Sequence, residues 1–176
     1  MLLSIYLARL LYMKGDNIIK IIIKKIVLII IIFYITFYII FGVKRVENYL
    51  MKPNINPGDL IIYYRLDNNY YSNEVVVFEM NNNEYIGRII GIPGDKVEIT
   101  DDSKLLINDS LLNEDNIYYE TYMIESNIEY PLYLNNNEYF ILSDNRINSY
   151  DSRYFGLVNQ TKIRGNIISL IRKNNI

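Results

Sequence analysis

Residues 26–43 read IVLIIIIFYITFYIIFGV, eighteen positions without a charge, and nothing else in this 176-residue chain limits the fold as tightly. A helix advances 1.5 Å per residue, so the run reaches about 27 Å, close to the ~30 Å hydrocarbon core of a bilayer. Lys24 and Lys25 close it on one side, Lys44 and Arg45 on the other. Burying it as a core helix would need partner helices, and the remainder of the chain reads as strands. A cleaved leader would need small residues after its apolar run, whereas Lys44-Arg45-Val46-Glu47 follows here. The expectation is a transmembrane anchor over residues 26–43, between a cytoplasmic segment over 1–25 and an extracytoplasmic domain over 46–176. Residues 1–12 read either as an upstream extension, because Met13-Lys14 begins a conventional basic leader, or as a genuine short amphipathic segment.

Charge sets the expected orientation. Residues 1–25 carry Arg9, Lys14, Lys20, Lys24 and Lys25 against Asp16, while residues 46–176 carry 11 basic and 19 acidic side chains. Basic residues beside a span hold their side in the cytoplasm, so the N-terminus belongs inside and the main domain outside, in a single-pass cell-membrane protein. Lys44 and Arg45 oppose this reading but are fewer.

Composition removes whole classes of chemistry. With Cys 0 and His 0 there is no Ser-His-Asp triad, no Cys-His dyad, no disulfide and no His/Cys metal site, and neither a metal nor a cofactor is expected. Acid-base work must run on Lys, Tyr, Asp or Glu. The net charge of −2 gives no basic surplus for nucleic acid, which is not an expected partner.

Past the anchor, short β-branched and aromatic runs recur between turn signals, at 60–64, 74–80, 84–92, 96–100, 104–107, 138–142 and 162–171. Asn81-Asn82-Asn83 links two of them as a hairpin, and Asp101-Asp102-Ser103 another two. The stretch 111–134 is acidic, Tyr-rich and without a period, and reads as a long surface excursion. The fold class is mainly β, an antiparallel domain behind one N-terminal helix.

Three clusters punctuate the β region. The first is Pro53-Asn54-Ile55-Asn56-Pro57-Gly58-Asp59 and the second Gly91-Ile92-Pro93-Gly94-Asp95; each alone reads as a tight turn. The third, Ser143-Asp144-Asn145-Arg146-Ile147-Asn148-Ser149-Tyr150-Asp151-Ser152-Arg153-Tyr154-Phe155-Gly156, follows an apolar strand. Its composition suits a loop knitted by side-chain to backbone bonds and Asp-Arg pairing.

With these residues the chain resembles the bacterial type I signal peptidases, membrane-anchored serine proteases with a Ser-Lys dyad on an all-β extracytoplasmic domain. The third cluster matches the family pattern Gly-Asp-Asn-Arg-x-x-Ser-x-Asp-Ser-Arg-x-Phe-Gly except that Ser143 stands for the first glycine. Gly91 to Asp95 resembles the family's Gly-Leu-Pro-Gly-Asp, and Ile163-Arg164-Gly165 its closing Ile-x-Gly strand. The resemblance breaks at the chemistry. The family nucleophile lies in Ser-Met-x-Pro-Thr, which here reads Leu50-Met51-Lys52-Pro53-Asn54, and no serine occurs between Ser4 and Ser72. The family base is the lysine of Lys-Arg-Val-Ile-Gly, which here reads Gly87-Arg88-Ile89-Ile90-Gly91. Arg88 cannot replace it, since a guanidinium keeps its proton. Lys52 and Lys96, the lysines near the motifs, have no serine at a motif position beside them.

By the resemblance no catalytic residue is intact, and the retained scaffold is Met51, Pro53, Arg88, Asp144, Asn145, Arg146, Ser149, Asp151, Ser152 and Arg153. The position of Ser149 orients the family's lysine, and those of Asp151 and Arg153 brace the site. Members lacking both dyad residues occur in Gram-positive bacteria as assembly factors for sortase-polymerised pili. The resemblance therefore implies a pseudoenzyme that holds an exported protein or pilin segment as an extended strand, with sortase as a further partner and membrane lipid around residues 26–43. The alternatives are an active signal peptidase that processes signal peptides of secreted proteins, and a structural module packing through the 111–134 excursion.

The charge asymmetry generates a direct test. Protease added to intact protoplasts is expected to digest residues 46–176 and spare a tag at residue 14; survival of the whole domain would reverse the orientation.

Overall fold

The computed structural model describes residues 2–115 and 117–173, with side chains from residue 18 onward. The side chains of the 1–12 extension thus lie outside the described residues. The chain divides into two compact units, Met1–Ile40 and Phe41–Ile176.

The first unit is one helix, α1 (Leu2–Ile40). Over its described side chains large apolar groups are exposed around the whole circumference, among them Ile29 at 65%, Phe33 at 70% and Tyr34 at 69%. The helix stops three residues before the end of the expected span, because Phe41–Arg45 forms strand β1. Hydropathy cannot mark this boundary, since Phe41 to Val43 is as apolar as the helix before it. What marks it is packing: a Cβ on Gly42 would fall 2.0 Å from the ring of Tyr63, so this site on the strand admits only glycine. The charge-free helical stretch is left with residues 26–40, about 22 Å long. Among the described residues no helix is long and apolar enough to cross a membrane.

The second unit is antiparallel β. After β1 come β2 (Leu60–Tyr64), β3 (Val75–Met80), β4 (Asn83–Gly91), β5 (Lys96–Ile99), β6 (Leu105–Ile107), β7 (Ser110–Leu111), β8 (Leu132–Tyr133), β9 (Glu138–Leu142), β10 (Val158–Asn159) and β11 (Ile163–Ile171). Seven strands form a sheet in the order β1-β2-β11-β3-β4-β9-β10, and four form a smaller one, β7-β6-β5-β8. The hairpin between β3 and β4 turns on Asn81 and Asn82, at φ 51° and 61°, the left-handed region that asparagine tolerates. β11 lies between β2 and β3, and its Gly165 (φ 149°) passes so close to β2 that a Cβ would stand 2.0 Å from the carbonyl oxygen of Tyr64.

Three buried clusters fill this unit. One gathers Tyr70, Val76, Phe78, Ile89, Tyr139, Ile141, Val158 and Ile163. A second joins Val46, Met51, Ile55, Ile61, Tyr63, Val77 and Ile86, on the face that β1, β2, β3 and β4 share. The third packs Ile90, Phe140 and Leu142 against Val97, Ile99 and Leu105 of the smaller sheet. Among its described residues the expected excursion holds only the two-residue strand β8 and the end of β7 as regular structure. Besides β1 and the two-residue strands β7, β8 and β10, the sequence pattern missed a single-turn helix, α2 (Ser152–Phe155), inside the third cluster. One turn shows no 3.6-residue period, and its signal is Asp151, whose side chain accepts from the backbone N–H of Arg153 as an N-cap.

Candidate functional site

The site is assembled from three stretches far apart in sequence: the loop 46–59 between β1 and β2, strand β4, and the loop 143–157 after β9. Met51 is fully buried and fastens the first loop to the second cluster. The peptide bond between Lys52 and Pro53 is cis. Asn145 holds this loop from the other side, its backbone N–H donating to the carbonyl of Leu50 at 2.8 Å and its Nδ2 to the carbonyl of Tyr49 at 3.3 Å.

Asp144, with no exposed side-chain surface, ties all three stretches together. Arg88 donates to it as a fork, Nε to Oδ1 at 2.8 Å and Nη2 to Oδ2 at 2.7 Å, and Asn54 Nδ2 adds a third bond at 2.8 Å. The remaining arm of Arg88, Nη1, donates to the carbonyl and side chain of Asn73. Positions 50 and 87 are thus both held through neighbours: Leu50 by Asn145, and Gly87 by the anchored Arg88 beside it.

Two buried arginines knit the third cluster. Arg153 and Asp151 pair at 2.9 Å with side chains 1% exposed, and the same guanidinium donates to Ser149 Oγ at 2.7 Å, the carbonyl of Arg146 at 3.0 Å and that of Tyr122 at 3.2 Å. Asp151 also accepts from the backbone of Ser143 at 3.0 Å. Arg146 donates to the Ser143 carbonyl at 2.9 Å, to Glu114 at 2.6 Å and to Thr121 Oγ1. The hydroxyl of Ser152 accepts from the backbone N–H of Ile141 at 3.0 Å. These bonds carry the 111–134 excursion on the site loop, a role of Glu114, Thr121 and the Tyr122 carbonyl that no motif disclosed. Tyr130, in the same excursion, keeps its phenol protonated well above the ordinary range because burial disfavours the charged form.

Leu50 and Gly87, the positions that the resemblance assigns to the family's dyad, carry no hydroxyl and no ammonium group. Leu50 is half-buried and hydrocarbon, and at Gly87 the room for a side chain is occupied. A Cβ there would lie 2.5 Å from Cγ2 of Ile141 and 3.2 Å from both Cε1 of Phe78 and the carbonyl oxygen of Leu142. Cγ2 is one bond from the backbone-bound Cβ of a β-branched residue, so it cannot swing clear as a chain end would. Both lysines near the motifs have partners of their own. Lys52 Nζ sits 4.7 Å from the ring centre of Tyr49, and Lys96 is bound between Asp109 and Glu98. Asp109's hydrogen bond raises the pKa of Lys96, whereas a lysine base needs it lowered. Among the described residues no group of His, Cys, Asp or Glu is placed to hold a metal.

The profile of the family described as signal peptidase, peptidase S26, matches residues 19–171. The chain belongs to the type I signal peptidase family. Among its relatives, a probable signal peptidase I-2 of Synechocystis is 33% identical over 128 residues, covering 65% of this chain and 56% of that protein. The signal peptidase I of Bacillus caldolyticus is 28% identical over 142 residues, covering 73% of this chain and 78% of the relative. Signal peptidase IB of Staphylococcus aureus is 30% identical over 140 residues, covering 66% and 70%. The crystal structure of a signal peptidase I from Enterococcus faecalis aligns with a TM-score of 0.47 at 29% identity, over 57% of this chain and 97% of that one. From Asp144 through Arg153 the motif loop is one bonded unit in this chain.

The buried pair makes the loop's integrity measurable. Arg153→Ala removes the ion partner of the buried Asp151 and is expected to lower stability by about 3–5 kcal/mol, and Arg153→Lys to recover little, because an ammonium cannot reproduce the fork. Thermal unfolding of the two variants checks this; unchanged midpoints would assign the pair to solvent.

Proposed function

We propose that this chain is a membrane-anchored, non-catalytic type I signal peptidase homologue that binds extended segments of exported proteins and assists their assembly. One observation carries the reading: position 50 has no hydroxyl, and the space beside Gly87 is filled by Ile141 and Phe78. A nucleophile and its base act as a unit, so when one is gone the other can be lost without further loss of activity. The scaffold around them has its own reason to persist, since Arg88, Arg146 and Arg153 are buried or nearly so and removing any partner would strand a charge.

Attachment to the membrane is supported by α1, whose exposed apolar circumference has no place in water. Its 26–40 stretch is shorter than the hydrocarbon core, and Lys24 and Lys25 reach the interface by snorkelling while the bilayer thins. The charge asymmetry then puts the β unit outside the cytoplasm. There its client is an exported protein, a pilin segment among them, with sortase acting on the presented chain.

The names of the relatives favour a second reading, an active signal peptidase. It requires a nucleophile and base from outside positions 50 and 87, and the raised pKa of Lys96 argues against that lysine.

An exported precursor with its signal peptide intact, incubated with the full-length chain in detergent micelles, separates the two. The expected outcome is co-purification without cleavage over hours, a rate lower by about a million-fold than a serine protease achieves. Leu50→Ser alone stays at background, because the new hydroxyl lacks a base. Specific cleavage that follows the unmodified protein through purification would establish the second reading.

A further inference from the structure

β3 pairs with β4 along Asn83 to Arg88, whereas β9 takes up its other side only from Arg88 onward, so residues 83–87 present an edge with no strand on that side among the described residues. A side-chain ion pair, Lys44 with Glu84, joins that edge to β1, the end strand of the sheet, and the gap it spans is a groove. The floor of the groove is apolar: Val46, Tyr63 and Ile86 all belong to one buried cluster. Lys44 and Glu84 stand on that same face, two residues from Val46 and Ile86 along alternating strands. They meet across the groove, Lys44 Nζ donating to Glu84 Oε2 at 2.9 Å and to the Glu84 carbonyl at 3.5 Å. That carbonyl lies on the very edge of β4 that an added strand would use.

We infer that the Lys44–Glu84 pair selects what the groove admits: an extended segment that presents a carboxylate to Lys44 in place of Glu84. This rests on the peptide-binding reading above and names the chemistry of its partner. Any strand laid between β1 and β4 must part the pair. The two members are unequally exposed, 28% for the Lys44 side chain and 40% for Glu84. Released Glu84 regains water readily, but Lys44, over the apolar floor, is left without its anion unless the incoming segment supplies one. The neighbouring recess of about 370 Å³, lined by Tyr63, Arg65, Glu84, Ile163 and Arg164, adds two guanidinium groups to the same mouth. Arg164 is itself paired with Glu79.

Fluorescent octapeptides of alanine and valine, carrying a single Glu or Lys scanned through the sequence, test this on the full-length chain in uncharged detergent micelles. The best Glu peptide is expected to bind about two- to fivefold more tightly than its all-apolar parent, the range of a half-exposed ion pair, and salt should shrink the difference. Lys44→Met removes the advantage and strengthens the all-apolar peptide; Glu84→Gln strengthens both. Equal binding of Glu and parent peptides, or an advantage that survives Lys44→Met, overturns the inference while leaving the groove as a binding site. Absence of binding by every peptide to the wild-type chain and both variants overturns the peptide-binding reading and this inference with it.

Discussion

Asp144 is the point on which the architecture turns. Buried completely, it accepts both ends of the Arg88 fork and the amide of Asn54, and so joins the 46–59 loop, strand β4 and the loop after β9. A carboxylate taken out of water is tolerable only with such partners, and charge-assisted bonds of this kind are the strong ones. Once it is satisfied, the residues beside it are placed: Asn145 on the carbonyl of Leu50, Arg88 alongside Gly87, Arg146 reaching out to Glu114 and Thr121. The loop, the strand and the excursion are fixed by one connected set of bonds.

That coupling is carried by the motif loop and its partners. The bonds of Asp144, Asp151 and Arg153 run to other side chains and to backbone groups, and Leu50 and Gly87 contribute no side chain to them. Each of those bonds protects a buried charge, and selection for a folded domain alone is enough to keep it. Ile141 and Phe78 close on Gly87 to within ordinary or shorter contact of where a side chain would begin, so position 87 lies against a hydrocarbon cluster.

Much of this was legible in the residues. Alternating apolar runs disclosed β2 and β9 to the residue, and β3, β4, β5, β6 and β11 to within one, because their patterns are bounded by Asn, Gly and Asp turns. The third cluster disclosed its own bonding, since Asp and Arg at that density after an apolar strand have few uses besides pairing. β1 was not legible: Phe41 to Val43 continues the apolar run of α1, and what separates strand from helix is the contact of Gly42 with Tyr63, which no local pattern carries. The partners of Arg146 were hidden for a similar reason, because Glu114 and Thr121 lie 32 and 25 residues away in a stretch without periodicity. Asn54 looked like a turn residue, and its bond to Asp144 spans 90 positions.

The central claim, that the room for a side chain at position 87 is taken up by the core, is tested most directly by a thermal-unfolding cycle on Gly87→Lys and Ile141→Ala in the full-length chain. Overpacking at position 87 is expected to destabilise the protein by about 1–3 kcal/mol, and Ile141→Ala alone by about 2–5 kcal/mol. In the Gly87→Lys background, removing the Ile141 methyl groups should raise the unfolding midpoint instead of lowering it, because the two side chains compete for one space. A Gly87→Lys variant as stable as the wild type, with Ile141→Ala equally damaging in both backgrounds, would show that the space is still open and contradict the account.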